Sequence, residues 1–280
     1  MKPIVNISLV FLLAISAIAA SAEPRSVCFT VTAKKGELVA DVKKEDVKLY
    51  EDGKIQTIAN FADPANQSVS MILMLDVSGS SVQSVRGESA ALVELATKAI
   101  RPGKDTAAVI LFDAGVTLQQ DFTGDVRKIT AAIDKARAAG GTAFYDAALL
   151  AADHLSKAPE RRVVVVAGDG EDNSSRFTFE QMLGRLQNND VAMYALVRSS
   201  GFRPSREADD ARNALKKAAS QTGGAAFFPS NPQDFDAGLK RIADELHAQY
   251  CAGYTSDKAP GKSGKIRIDF ANKDYTAHHR

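Results

Sequence analysis

The chain has 280 residues, of which 45% are hydrophobic and 25% are charged, with 35 Lys and Arg against 34 Asp and Glu. This composition is typical of a globular protein and excludes a disordered chain, a collagen-like repeat and a small disulfide-framework protein. The balanced charge also excludes a general electrostatic attraction to nucleic acid or to an anionic membrane surface.

The first 22 residues have the pattern of a secretory signal peptide. Lys2 precedes an apolar run from Ile4 to Ala20, and Ala20-Ser21-Ala22 has the small-x-small form of a cleavage site. The run is short for a membrane helix, which needs about 20 apolar residues, although an uncleaved anchor is the alternative. We therefore expect cleavage near Ala22 and export to the periplasm or the cell exterior, with no membrane span in the mature chain.

Between Val69 and Phe228, short apolar runs alternate with segments of helical periodicity. The apolar runs predict strands, because a parallel strand that is covered by helices on both faces is almost continuously hydrophobic. The predicted strands are residues 69–75, 106–112, 162–166, 191–197 and 225–228, with 116–122 as an antiparallel edge strand, and the predicted helices are residues 85–100, 125–138, 144–157, 178–188, 207–221 and 232–248. This alternation is typical of an α/β fold with a doubly wound, mostly parallel sheet.

The two segments that flank this region, residues 23–66 and 248–280, carry β patterns instead. Their predicted strands are residues 28–33, 47–50, 56–58, 250–254 and 265–270, and Asp52-Gly53 has the composition of a hairpin turn. We predict that the two segments pair as a small β module beside the α/β domain, which would span residues 67–247.

The two cysteines, Cys28 and Cys251, lie in β-like runs near opposite ends of the mature chain. An exported protein can form disulfides, so the two side chains could bridge if the end segments pair. The alternative is two separately buried, small apolar side chains.

The first predicted strand of the α/β domain ends in a turn that carries three oxygen-bearing side chains. Asp76, Ser78 and Ser80 alternate along the sequence, so one carboxylate and two hydroxyls can reach the same small volume. Thr142 lies in a Gly-rich loop before a predicted helix, and Asp169 directly follows another buried strand. Open α/β sheets bind ligands at the carboxyl ends of their strands. Hard oxygen ligands suit Mg²⁺ or Mn²⁺, so the pattern predicts a divalent cation site.

These five side chains, in this order, resemble the metal-ion-dependent adhesion site (MIDAS) of the von Willebrand factor type A (VWA) domain. The resemblance covers about residues 67–247, and the flanking sequences Val42–Gly53 and Gln249–Tyr254 resemble those of an exported bacterial branch of the family. One departure is Gly168, where a Ser or Thr usually precedes the Asp of the third loop.

The resemblance implies a non-enzymatic, adhesion-type function. Asp76 would be the main charged ligand of the ion, and Asp169 would act directly or through water. Since the hydroxyl ligands are neutral, the ion keeps positive charge and an open coordination position. That position would take an Asp or Glu carboxylate from a partner protein, whose recognition would also depend on loops such as Ser199–Glu207.

Several polar residues near the predicted site, and one pair at the C-terminus, have simpler expected roles. Asp146 is expected to be a first-turn helix residue that the helix dipole favours, with support of the metal site as the alternative. Glu171 and Asp172 are expected on a solvated loop face, although they could supply further oxygens, and Asp113 is expected to be a turn residue. His278-His279 is expected in a solvated tail.

Two other functions are alternatives. Residues 168–173 superficially resemble a loop of haloacid-dehalogenase-like, Mg²⁺-dependent phosphatases, but those enzymes need a second Asp as general acid at the position that Ser78 occupies. Signatures of serine hydrolases, zinc proteases and P-loop proteins are absent from the sequence. The other alternative is a structural envelope protein with a vestigial metal site, in which the serines only cap the following helix.

Overall fold

A computed structural model describes residues 23–64, 67–158, 161–197, 205–258 and 264–279. The predicted signal peptide, residues 1–22, and most of the loop Ser199–Glu207 lie outside these residues. Within the described part of the chain, no helix is both long and apolar enough to cross a bilayer.

The strands of the described chain are β1 (Glu23–Thr32), β2 (Val47–Glu51), β3 (Lys54–Gln56), β4 (Ile58–Ala62), β5 (Val69–Asp76), β6 (Thr106–Phe112), β7 (Val116–Thr123), β8 (Arg161–Ala167), β9 (Val191–Leu196), β10 (Ala226–Phe227), β11 (Gln249–Ser256), β12 (Ile266–Phe270) and β13 (Thr276–His279). The helices are α1 (Val85–Ala99), α2 (Val126–Ile133), α3 (Phe144–Leu155), α4 (Phe179–Asn188), α5 (Arg206–Thr222) and α6 (Pro232–Leu246).

The central sheet has six strands in the order β10-β9-β8-β5-β6-β7. All of its pairings are parallel except that of β6 with β7, so the predicted mixed α/β sheet and its antiparallel edge strand are confirmed. Side chains of β5 alternate between two cores: Met71 and Leu73 pack with α1, α2 and α6, whereas Ile72 and Met74 pack with α3, α4 and α5. Burial of both faces explains the continuous hydrophobicity of these strands.

The flanking segments build two antiparallel sheets, with the orders β13-β1-β11-β4 and β12-β2-β3. Strands from both ends of the chain therefore share one β module, as predicted. Its core contains buried side chains from both segments, among them Phe29, Leu49 and Tyr250. The hairpin of β2 and β3 turns at Asp52-Gly53, where both residues have positive φ, of 48° and 80°. These angles suit the right-handed twist of a two-residue hairpin.

The module also contains the two cysteines. Cys28 and Cys251 lie directly opposite each other in the ladder between β1 and β11 and form a disulfide bond. The bond joins the two ends of the described chain across 223 residues of sequence.

The expectation of a C-terminal tail is wrong for His278-His279, although His278 is exposed to solvent as expected. These residues belong to β13, which pairs with β1, and Nε2 of His278 lies 2.8 Å from Oγ1 of Thr32. The strand is not apparent from local sequence because its pairing partner lies at the other end of the chain.

The helix predicted over residues 125–138 ends earlier, at Ile133. The chain then crosses to the turn after β5, where the backbone N–H of Ala139 donates to the carbonyl of Val77 at 2.8 Å. Gly140 follows in the left-handed region, with a φ of 75°. The shorter helix therefore lets the loop that carries Thr142 reach the carboxyl end of β5.

Candidate metal centre

Asp76 is the last residue of β5 and is fully buried. Its Oδ1 accepts a hydrogen bond from the backbone N–H of Ser78 at 2.8 Å, whereas its Oδ2 is buried and has no hydrogen-bond partner among the described residues. Burial and, to a smaller extent, the charge of Asp169 raise the pKa of Asp76 to about 6, against the lowering effect of the hydrogen bonds from Ser78 and Ser81. Among the described residues, no basic side chain forms an ion pair with this carboxylate.

The serine hydroxyls after β5 form a connected cluster. Oγ of Ser78 lies 3.0 Å from Oγ of Ser80 and 3.5 Å from Oγ of Ser81, and Oγ of Ser80 donates to Oδ2 of Asp169 at 3.1 Å. Ser78 occupies the N-cap position of the short 3-10 helix Gly79–Gln83, but its side chain makes no capping hydrogen bond. The hydroxyls therefore contact one another and the third loop rather than the helix backbone.

Thr142 reaches the same edge of the sheet through backbone contacts. The N–H of Gly79 donates to the carbonyl of Gly140 at 2.9 Å, which joins the first and second loops. The N–H of Thr142 donates to Oδ1 of Asn173 at 2.8 Å, and its carbonyl accepts from the N–H of Asn173 at 3.0 Å. Thr142 is buried, but no hydrogen bond in the described chain joins its side chain to the other four predicted ligands.

Gly168, the departure from the family pattern, lies against Asp76. A Cβ atom at this position would be 2.5 Å from the Cβ of Asp76 and 3.1 Å from its Oδ2. Such contacts are shorter than van der Waals packing permits, so the glycine allows the third loop to approach the carboxylate closely.

Two neighbouring carboxylates bind the third loop to the start of α3. Asp146 accepts from the N–H groups of Arg176 and Phe177, at 3.0 and 3.1 Å. Burial acts to raise the pKa of Asp146, but these hydrogen bonds and the Arg176 guanidinium hold it below its ordinary value. Asp172 accepts from the N–H of Tyr145 at 2.9 Å and from the hydroxyl of Ser175. The expected solvated face is therefore wrong for Asp172, which tethers its loop to the helix N-terminus.

Two further acidic residues lie beside the site. Asp113 accepts from the N–H of Gly115 at 2.7 Å, which confirms its role as a turn residue. Glu171 is half-buried, and its pKa is raised by burial and by the charges of Asp169 and Glu207.

Sequence reasoning missed Asn173, whose side chain fixes the backbone of Thr142. It also missed Ser81, which extends the hydroxyl cluster, and Ser175, which hydrogen-bonds to Asp172 and to the N–H of Asp146. The run Asp172–Ser175 offered one signal, since it places four polar side chains directly after the Asp of the third loop.

The donor set fits a hard divalent cation. The five predicted ligands supply two carboxylates and three hydroxyls, and no cluster of three or more His, Cys, Asp and Glu side chains suited to a metal occurs within the described residues. A cation in contact with Oδ2 of Asp76 would provide the charge that this buried oxygen lacks. The buried, unpaired oxygen and the surrounding hydroxyls thus match the oxygen coordination that Mg²⁺ or Mn²⁺ requires.

Comparison with known proteins gives the same fold. The sequence profile of the von Willebrand factor type A domain matches residues 71–171, a range that contains all five predicted ligands. No curated protein sequence matches the chain significantly.

Among solved structures, similarity extends to BatB, a conserved hypothetical protein from Bacteroides thetaiotaomicron, with 16% identity, a TM-score of 0.50 and coverage of 64% of this chain and 97% of BatB. The vWF domain of the type V pili tip protein Mfa5 from Porphyromonas gingivalis gives 11% identity, a TM-score of 0.51 and coverages of 64% and 96%. Proximal thread matrix protein 1 from the mussel byssus, with a zinc-occupied MIDAS motif, gives 20% identity, a TM-score of 0.52 and coverages of 71% and 50%. At these identities the likeness shows the fold alone. The profile match over residues 71–171 and the fold shared with these structures show that this part of the chain is similar to the von Willebrand factor type A domain.

Proposed function

We propose that this protein is an exported, non-enzymatic binding module that uses a divalent cation to bind a partner protein. Mg²⁺ or Mn²⁺ would be held by Asp76, Ser78, Ser80, Thr142 and Asp169. When bound, the ion supplies a positive centre with an open coordination position for an Asp or Glu carboxylate of the partner.

The buried, unpartnered Oδ2 of Asp76 is the observation that carries this proposal. Burial of a carboxylate oxygen without a hydrogen bond or a positive partner costs several kcal/mol in general. A cation removes this cost. The hydroxyls of Ser78 and Ser80 are already within 3.0 Å of each other and require no large rearrangement to face one ion.

The residues around the ion would hold the three loops of the site in place. Asp146 and Asp172 hold the third loop against α3, and Asn173 holds the backbone of Thr142. Ser80 donates to Asp169 and links the first loop to the third. These contacts fix the geometry of the site, in which Ser78 is buried and Ser80 is exposed to the partner.

Two proteins of similar structure support the proposal. The mussel byssus protein carries a zinc-occupied MIDAS motif, so a protein of this fold holds a divalent cation. Mfa5 is a pilus tip protein, and its vWF domain therefore belongs to a protein of the cell surface. We propose an exported location here as well, with a signal peptide at residues 1–22, a β module from residues 23–66 and 248–280, and a VWA domain at residues 67–247.

Isothermal titration with MgCl₂ and MnCl₂ tests the metal site. We expect the wild type to bind one ion, Asp76→Asn to bind none, and the matched control Asp113→Asn to bind as the wild type does. Asp113 lies at the same sheet edge but only closes a turn, and circular dichroism should show all three proteins folded. No binding by the wild type, even with acetate present as a carboxylate ligand, would support the structural alternative.

A phosphatase assay with p-nitrophenyl phosphate and Mg²⁺ tests the alternative that the protein is a phosphatase. We expect no turnover, because Ser78 cannot act as the general acid. Turnover in the wild type that disappears in Asp76→Asn would refute the proposed function.

A further inference from the structure

A groove runs along the protein surface between α1 and α2, with a volume of about 790 Å³. It begins beside Val82, two residues after Ser80, and extends along α1 as far as Val93. This stretch of chain, taken as helix with a rise of 1.5 Å per residue, is about 16 Å long. Such a length matches about five residues of extended peptide.

One end of the groove lies beside the candidate metal site. Ala138, which lines it, is followed by Ala139 and Gly140, and these two residues are hydrogen-bonded to the turn that carries Ser78 and Ser80. A peptide whose carboxylate reached the ion could continue directly into the groove.

The lining is apolar at its base and basic at its border. Val85 and Val93 are half-buried and Ile133 is fully buried, whereas Arg86 and Arg137 are exposed. The guanidinium of Arg137 donates to the backbone carbonyls of Asp134 and Ala136. The groove lining therefore contains two guanidinium groups and one carboxylate, that of Asp134.

The border of the groove carries more positive than negative charge. Arg86 and Arg137 are exposed there and Asp134 is the one carboxylate of the lining, whereas the exposed side chains of α5 are both acidic (Glu207, Asp209 and Asp210) and basic (Arg206, Lys216 and Lys217). An acidic segment that leaves the ion is therefore attracted toward the groove.

We propose that this groove binds an extended segment of the partner protein, adjacent in sequence to the carboxylate that reaches the ion. The segment carries apolar side chains for the base of the groove and a second acidic side chain for Arg86 and Arg137. This inference rests on the proposed function, since the ion anchors one end of the segment.

Peptides selected from a random 12-residue display library test the inference. The library is exposed to the Mg²⁺-loaded, disulfide-intact protein, and bound phage are eluted with EDTA. The eluted sequences should share an acidic residue, then apolar residues and a second acidic residue within about five positions. Synthetic copies are then titrated by fluorescence anisotropy against the wild type and groove variants.

The groove variants test charge and shape separately. Arg86→Glu with Arg137→Glu reverses the border charge, and Ala90→Gln places bulk in the groove; we expect each to weaken peptide binding about tenfold or more. The controls Lys135→Glu, which reverses one basic charge, and Ala131→Gln, which adds the same bulk, lie at exposed positions outside the groove lining and should change affinity less than about twofold. Calorimetry should show unchanged Mg²⁺ binding in all variants.

The possible failures are distinguishable. EDTA-eluted peptides that bind the groove variants as tightly as the wild type would refute the groove and leave the proposed function intact. Selected peptides that lack the second acidic residue would also count against it. If the protein binds Mg²⁺ but yields no EDTA-eluted peptide, both the groove and the proposed partner binding are contradicted.

Discussion

Neutralising Asp76 should stabilise the metal-free protein at neutral and alkaline pH. In Asp76→Asn the side-chain oxygen can still accept from the N–H of Ser78, while the buried charge without a positive partner disappears. Most substitutions of buried polar residues destabilise a protein. An increase in stability is therefore a distinctive expectation for a residue whose charge serves a ligand rather than the fold.

The size of the effect follows from the pKa. Burial raises the pKa of Asp76 from an ordinary 3.8 to about 6, which corresponds to about 3 kcal/mol at 1.36 kcal/mol per pH unit. The folded protein holds this proton more tightly than the unfolded chain does, so protonation of Asp76 stabilises the wild type fully below about pH 4, and this stabilisation is lost as the pH rises through about 6. In EDTA, the unfolding free energy of Asp76→Asn should therefore rise relative to that of the wild type by up to about 3 kcal/mol between pH 4 and pH 8.

Guanidinium chloride unfolding with intact disulfides, in EDTA and at several pH values between 4 and 8, measures this difference. Mg²⁺ at 100 times its dissociation constant should then stabilise the wild type by about 2.7 kcal/mol and leave Asp76→Asn unchanged. The reasoning is refuted if the variant is the less stable protein in EDTA at pH 8, or if the difference between the two proteins does not vary with pH.

Three further substitutions test other parts of the structure. Replacing Cys28 and Cys251 by Ser should lower the unfolding free energy by about 2–5 kcal/mol, because the bond closes a long loop; a denaturation midpoint equal to that of the wild type would contradict a stabilising role. Gly168→Ser places a Cβ 2.5 Å from the Cβ of the metal-site aspartate and should weaken Mg²⁺ binding in calorimetry by about tenfold or more, whereas Gly184→Ser, whose Cβ meets no atom within 4 Å, should not. Asp146→Ala removes hydrogen bonds to the third loop and should cost about 1–3 kcal/mol of stability; unchanged thermal unfolding together with unchanged Mg²⁺ affinity would show that these bonds do not order the site.

The central sheet was predictable because its strands bury both faces. Met71 and Ile72 are adjacent in sequence and pack in different cores, so the run from Met71 to Leu75 contains no polar residue. A continuous apolar run of this length between helical segments has few other interpretations. The turn Asp52-Gly53 was equally predictable, since its residue types tolerate the positive φ values that the hairpin needs.

Elements set by distant contacts were less predictable. The half-buried Ala136 continues the helical spacing beyond the end of α2, but the chain leaves the helix to hydrogen-bond through Ala139 to the turn after β5. Strand β13 exists because β1, at the other end of the chain, offers it a pairing edge. Neither contact has a signature within a local window of sequence.

The candidate site also has a part that local sequence predicts and a part that it does not. Asp76, Ser78 and Ser80 lie in one turn, so their spacing alone indicates shared geometry. Asn173 and Asp172 act instead on backbone N–H groups of the second loop and of the start of α3, and the position of a backbone N–H group cannot be read from residue types.

An anomalous difference map from a crystal of the protein grown with MnCl₂ tests the central claim most directly. The account predicts one strong peak at the carboxyl end of β5, in contact with Oδ2 of Asp76 and bounded by the hydroxyls of Ser78 and Ser80. A map without a peak there, or with manganese only at other positions, would contradict the assignment of this site as the metal centre.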